Sequence, residues 1–336
     1  MATLSTIPPE LHIEILSRLP DLRSLAAAVL TSRAIYKAFT IARHDVMERV
    51  LNADIPLASI VGEIDCLLPQ DCVAALQDRS SSVRGKALDM LCVHQGFVSG
   101  WCRRFCEDTL TALPSQHQGP ASPSERLRIQ RAFYRFWALS RAIAASGIKQ
   151  PSISDDLSFA KTYMLRYSLW EIAELTLICR YIHQKLERLC FLHGRLVTDE
   201  NIRKDTANEL TVYSLALLDL PTLHSMLFSP QTTTSILDTH LSTQLSCYRT
   251  WPSLFTADRS NRDRDPTVFP PRRICTRRDV PSDEYDECLR DYAEDVVTVL
   301  GVERGEYWLE DDLVRYDLAL WDDSRLERLG LFLPVA

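Results

Sequence analysis

Glycine is scarce in this chain, ten in 336 residues, and none falls in a P-loop or dinucleotide fingerprint. Phosphate cradles need glycine so that backbone amides can close around the anion, so nucleotide-binding designs of that kind are excluded. A GxSxG nucleophile turn is also missing. No apolar run reaches the length of a membrane span, and the first residues have neither a basic start nor an apolar signal core. The expectation is a protein with no membrane association, cytoplasmic and/or nuclear. Lysine is rarer still, six against 32 arginines, and with 45 acidic residues the net charge is -7. That balance excludes the broadly basic surface of a general nucleic-acid binder. β-Branched alternation bounded by turns is almost absent, and no repeat of 20 to 50 residues is visible, which excludes leucine-rich, kelch and propeller arrays.

What is present is ordinary in amount and helical in pattern. Hydrophobic residues make up 46% and charged residues 25% of the chain, as in a folded globular protein and unlike a disordered one. Apolar residues recur every three or four positions throughout, so the predicted fold class is mainly α. The length exceeds one typical domain. Ten cysteines are scattered without a framework spacing and are read as reduced thiols.

The densest information lies in the first forty residues. Pro8 and Pro9 suit the first turn of a helix, where their missing amide donors cost nothing, and Glu10 suits its positive end. Along this helix Leu11, Ile15 and Leu19 form one stripe, while Ile13 and Leu16 project from a second arc. Pro20 stops the helix, and Asp21 can cap a second in which Leu22, Leu25, Val29, Arg33, Tyr36 and Phe39 recur at helical spacing. So small a unit cannot bury two apolar arcs alone, which makes a partner or the rest of the chain the expected cover.

The run IPPELHIEILSRLPDLRSLAAAVLTSR resembles an F-box of the fungal type. Pro8, Glu10, Leu11, Ile15, Leu16, Leu19, Leu22, Leu25 and Arg33 fall on that family's pattern. Ile7 replaces its usual leucine, Thr31 and Ser32 replace a Val-Cys pair, and Ile35 and Tyr36 stand where tryptophan is common. Less specifically, the pairing of a RAFYRFW helix with a WEI…ICRYI helix also resembles the bodies of many fungal F-box-like proteins of unassigned function. The N-terminal resemblance covers about a tenth of the chain. It implies a docking module at residues 1–45, a helical hairpin or three-helix unit, followed by a larger irregular helical body at 46–336 that binds an unknown protein target. It also implies the partners, a Skp-type adaptor and a cullin ubiquitin ligase of the SCF kind. Pro8, Leu11, Ile15, Leu16, Leu19, Leu22 and Leu25 are then the expected adaptor contacts. A helical binding or scaffold protein whose hairpin packs on its own body is the alternative.

Further along, Val73 to Phe105 predicts two or three helices with Val83, Ala87, Leu91 and Phe97 inward. Residues 114–124 read as an exposed loop, and Ser122, Pro123 and Glu125 as a capping box opening a helix with Ile129, Phe133, Phe136, Trp137, Ser140 and Ile143 on one stripe. Gly147 ends it, and Asp155 or Asp156 can open the next helix. The run from Leu169 to Leu196 keeps Ile172, Leu175, Ile178, Cys179, Ile182, Leu186 and Leu189 at helical spacing and predicts a central helix. Residues 258–283 combine proline with dense charge and predict a solvated loop, with Ser282 capping the helix after it; Ser324 and Glu327 form another capping box.

No constellation predicts catalysis, a cofactor or a metal. Cys92, His94, Cys102 and Cys106 are zinc-like in type, but Cys92 and His94 are too closely spaced for one helix to aim both inward. Asp311, Asp312 and Asp317, with Asp322 and Asp323, invite a magnesium-dependent all-α prenyl-chain enzyme as a remote alternative, yet the spacing EDDLVRYD is not DDxxD. The eight histidines share no partner pattern that marks a base. The function expected is therefore adaptor work by binding alone.

Overall fold

The computed structural model describes residues 7–78, 82–111, 119–145, 166–167, 169–192, 218–228 and 320–328. Among them, ordered structure is helical and there is no strand. Pro8 stands at the N-cap and Pro9 at the first position of α1 (Pro9–Ser17), as their missing donors favour. Asp21 accepts from the Ser24 amide at 2.6 Å and starts α2 (Leu22–Val29).

The expected second helix does not run on to Phe39. It stops after Val29 because the Thr31 hydroxyl donates back to the Ala28 carbonyl at 2.7 Å, and Ser32 then caps α3 (Arg33–Ile41) by accepting from the Ile35 amide at 3.2 Å. The break shifts the phase of α3 relative to α2. Ile35 and Ala38 turn inward, and Tyr36, expected on the inward stripe, is exposed.

Next come α4 (Arg43–Asp54), a 3-10 turn (Leu57–Ile60), α5 (Val61–Leu67) and α6 (Gln70–Gln77). Leu16, Leu25, Ile35, Val46, Met47 and Val50 form one buried cluster, so α4 completes the core of the first three helices and residue 45 lies inside a shared element. From Arg84 to Leu110 the chain is a single long helix, α7. Ala87 and Leu91 are buried as expected; Val83 and Phe97 are only half-buried. At Gly85, α7 passes so close to α4 that an added Cβ would lie 2.5 Å from His44 Cε1.

The capping box forms as read: the Ser122 hydroxyl accepts from the Glu125 amide at 3.1 Å, and Glu125 accepts from the Ser122 amide at 2.8 Å. It opens α8 (Pro123–Ala145). Every residue from Ala132 to Ser140 is buried, as befits a helix at the centre of its surroundings. Phe133 packs on Trp101 and Phe105 of α7, with ring centroids 5.6 and 6.3 Å apart. Arg135 meets Glu63 of α5 at 3.5 Å, both buried. Asp54, Gln95, Ser99, Gln130 and Tyr134 join α4, α7 and α8: Asp54 accepts from Gln95, Ser99 and Gln130, and the Tyr134 hydroxyl donates to Gln95.

The chain divides into two compact units. The first takes residues 1–142 with 219–224 and 322–329. There Asp219 caps the start of α10 (Leu220–Phe228), and Trp101 donates to the Leu220 carbonyl at 3.4 Å. Its last piece belongs to α11 (Asp323–Arg328), which begins at Asp323, so Ser324 lies within the helix and is not its cap. The described part of the second unit is dominated by α9 (Leu169–Leu192), where Leu175, Ile178, Ile182 and Leu186 are buried at helical spacing and Cys179 and Leu189 are half-buried. The loop at 258–283, Gly147, Asp155, Asp156 and Ser282 lie outside the described residues, as do residues 114–118 of the expected loop at 114–124.

Candidate docking surface

The two arcs of α1 have different fates. Leu16, at 2% exposure, and Ile13 face Leu25, Ile35, Val46, Met47 and Val50. Leu11 and Ile15, one turn apart on the other arc, are 53% and 52% exposed. Of the residues expected to contact an adaptor, Pro8, Leu11 and Ile15 are therefore at the surface. Leu19 and Leu22 are half-buried against the cluster, and Leu16 and Leu25 are interior. The last two pack against Ile35 of α3 and Val46, Met47 and Val50 of α4.

Sequence reasoning missed other apolar residues left in water near this module: Leu30, Tyr36 and Ile41 are all strongly exposed. Leu30 follows the last turn of α2 and Ile41 ends α3, positions outside any periodic stripe. The Thr31-Ser32 pair was the available signal for Tyr36, since two hydroxyl residues in a row compete with helix continuation. Polar groups frame α1: Glu14 pairs with Arg18 at 2.7 Å and with Arg49 of α4 at 3.5 Å, exposed contacts that contribute little stability. An isolated leucine in water needs no explanation, but two apolar residues in register on a short helix whose other face is already buried form a ready anchor.

Among the described residues no chemical site assembles. Among the described residues no group of three or more His, Cys, Asp or Glu stands where it could hold a metal ion, and no helix is long and apolar enough to cross a membrane. Burial, with Asp89 nearby, pushes the Cys92 thiol up to about 12. Cys102 is buried with its thiol toward the Arg126 carbonyl at 3.8 Å; its contact with Cys106 raises its own pKa and lowers that of Cys106. His94 lies against the Trp137 ring, centroids 4.4 Å apart, and is lowered to about 4 by burial and by Arg141. His224 is lowered by burial beside the rings of Phe97 and Trp101. Asp311, Asp312 and Asp317 lie outside the described residues, and Asp322 is engaged by Arg128 at 2.7 Å. Compared with protein-family models, with curated proteins and with solved structures, the chain matches none of them.

Proposed function

We propose that this chain is a substrate-recognition adaptor of a cullin-type (SCF) ubiquitin ligase, docking a Skp-type adaptor through α1 to α3 and presenting a protein target on the remaining helices. It works by binding and carries out no chemistry itself. The observation that supports the reading most is the division of labour on α1, where Leu16 closes an internal core and Leu11 and Ile15 remain at the surface in register. Covering that pair removes enough apolar area to contribute about 1 to 3 kcal/mol to association, as expected of a hot spot and not of a whole interface. The scaffold reading draws its support from α4, whose Val46, Met47 and Val50 cover the inward arc from within the same unit.

Co-purification with a Skp-type adaptor separates the two. The wild-type chain should retain the adaptor, and Leu11→Asp combined with Ile15→Asp should weaken the complex by about tenfold to a hundredfold at unchanged helical content. Leu16→Asp is not diagnostic, since a charge at a buried site disrupts the module itself. A wild-type chain that fails to bind, or a double variant that binds as well, would remove the reading.

A further inference from the structure

The first turn of α8 and the segment 322–328 form a clasp between residues about two hundred positions apart in the chain, all within the first unit. Glu125 accepts from the Asp322 amide at 3.0 Å and from Arg325 Nε and a terminal guanidinium nitrogen, each at 2.8 Å. Arg325 also donates to the Pro120 and Gly119 carbonyls at 2.8 and 3.2 Å. On the other side, the Asp322 carboxylate is held by Arg128 at 2.7 Å, by the Ser122 hydroxyl, and by the Ser124 hydroxyl, which lies 2.9 and 2.8 Å from its two oxygens. Ser122 is tied down as the helix cap and is half-buried. Ser124 is exposed, and so is Arg126 two positions on.

We propose that Ser124 is a phosphorylation site for a kinase that reads a basic residue after the acceptor, and that its modification loosens the clasp at Asp322. The kinase transfers the γ-phosphoryl group of ATP. The Ser124 Oγ–P bond forms, the bond from the γ-phosphorus to the bridging oxygen breaks, the hydroxyl proton passes to the kinase's base, and ADP leaves. The product has lost the donor that now binds Asp322 and sets a phosphate of charge about -1.5 to -2 against a carboxylate at contact distance. It also competes with Asp322 for Arg128, since a phosphate is a strong partner for a guanidinium. The same phosphate at the second position of α8 is favoured by the helix dipole, so α8 itself is not penalised. The effect is therefore selective for residues 322–328. It does not depend on whether the chain docks on a ligase.

Two measurements on the full chain test it. Incubation with ATP and a basophilic kinase should place phosphate on Ser124, mapped by mass spectrometry. With phosphoserine installed at 124, amides of 322–328 should exchange with deuterium about tenfold faster or more, α8 should stay as protected as before, and phosphatase treatment should restore the original rate. Ser124→Ala, which removes a donor but adds no charge, should shift that exchange less than phosphoserine does. The proposal is overturned if the kinase modifies a peptide of residues 119–131 but leaves Ser124 of the folded chain untouched. It is equally overturned if phosphoserine leaves 322–328 unchanged, or if α8 loosens together with them.

Discussion

Single side chains in this molecule are decided by what surrounds them, and His94 is the clearest case. Its ring lies against Trp137 and is lowered to about 4, first by burial and then by Arg141. A neutral histidine in the folded chain whose unfolded value is about 6.5 binds fewer protons than the unfolded chain between those values, so stability is highest above about 6.5 and falls as the pH drops toward 4. The loss attributable to this one group reaches about 3 kcal/mol. Urea denaturation of the wild type and of His94→Gln at pH 7 and pH 4.5 should give a smaller pH-dependent change for the variant; equal slopes would mean that other groups carry the acid sensitivity. Leucines divide in the same way. Leu11 and Leu16 are the same residue type on the same helix, yet one is half in water and the other sealed, and only the first is free to meet a partner.

At the scale of the helix, local chemistry governs where elements begin and end. Pro9, the Asp21 cap and the Ser122–Glu125 box are legible in sequence because each interaction closes within three residues. The Thr31-Ser32 break was equally local, but the apolar spacing continues through it and hides it. Asp21→Ala removes the acceptor for the Ser24 amide and should cost about 1 kcal/mol in urea denaturation, while Asp21→Ser should recover most of that. An unchanged midpoint in Asp21→Ala would show that packing of Leu25, and not the cap, holds α2 in place. Periodicity alone does not show that α8 is buried continuously from Ala132 to Ser140, because Arg135 interrupts the apolar pattern but is buried against Glu63. A charge with a distant partner reads as surface until that partner is known.

Across the whole molecule the Glu125–Arg325 clasp does what no helix can do for itself, tying the start of α8 to a segment about two hundred residues later. Burial alone would raise the Glu125 carboxyl, but the bonds from Arg325 and from the amides of Asp322 and Ser122 overcome it and hold the group below its ordinary value. Asp322 is held low in the same sense, burial being outweighed by Ser122, Arg128 and Ser124. Both carboxyls therefore stabilise the fold above the usual carboxylate range, about 4, and lose that contribution as the pH falls through their folded values, a window below that of His94. Arg325→Met leaves Glu125 buried without its cation and should cost about 3 to 5 kcal/mol in thermal or urea denaturation; adding Glu125→Gln should return part of it. If the two changes simply add, the pair is not the unit that the geometry describes.

The sequence by itself determined the helical class, the helix starts at Pro9, after Asp21 and after Ser122, and the apolar character of the N-terminal module, because those properties arise from periodicity and from contacts within one turn. Only the tertiary structure decided which arc of α1 is covered, that Tyr36 faces outward, that α4 completes the first core, and that Glu125 finds Arg325. Those outcomes depend on groups tens to hundreds of residues apart being brought together, and neither the spacing of a pattern nor the chemistry of a cap carries that information.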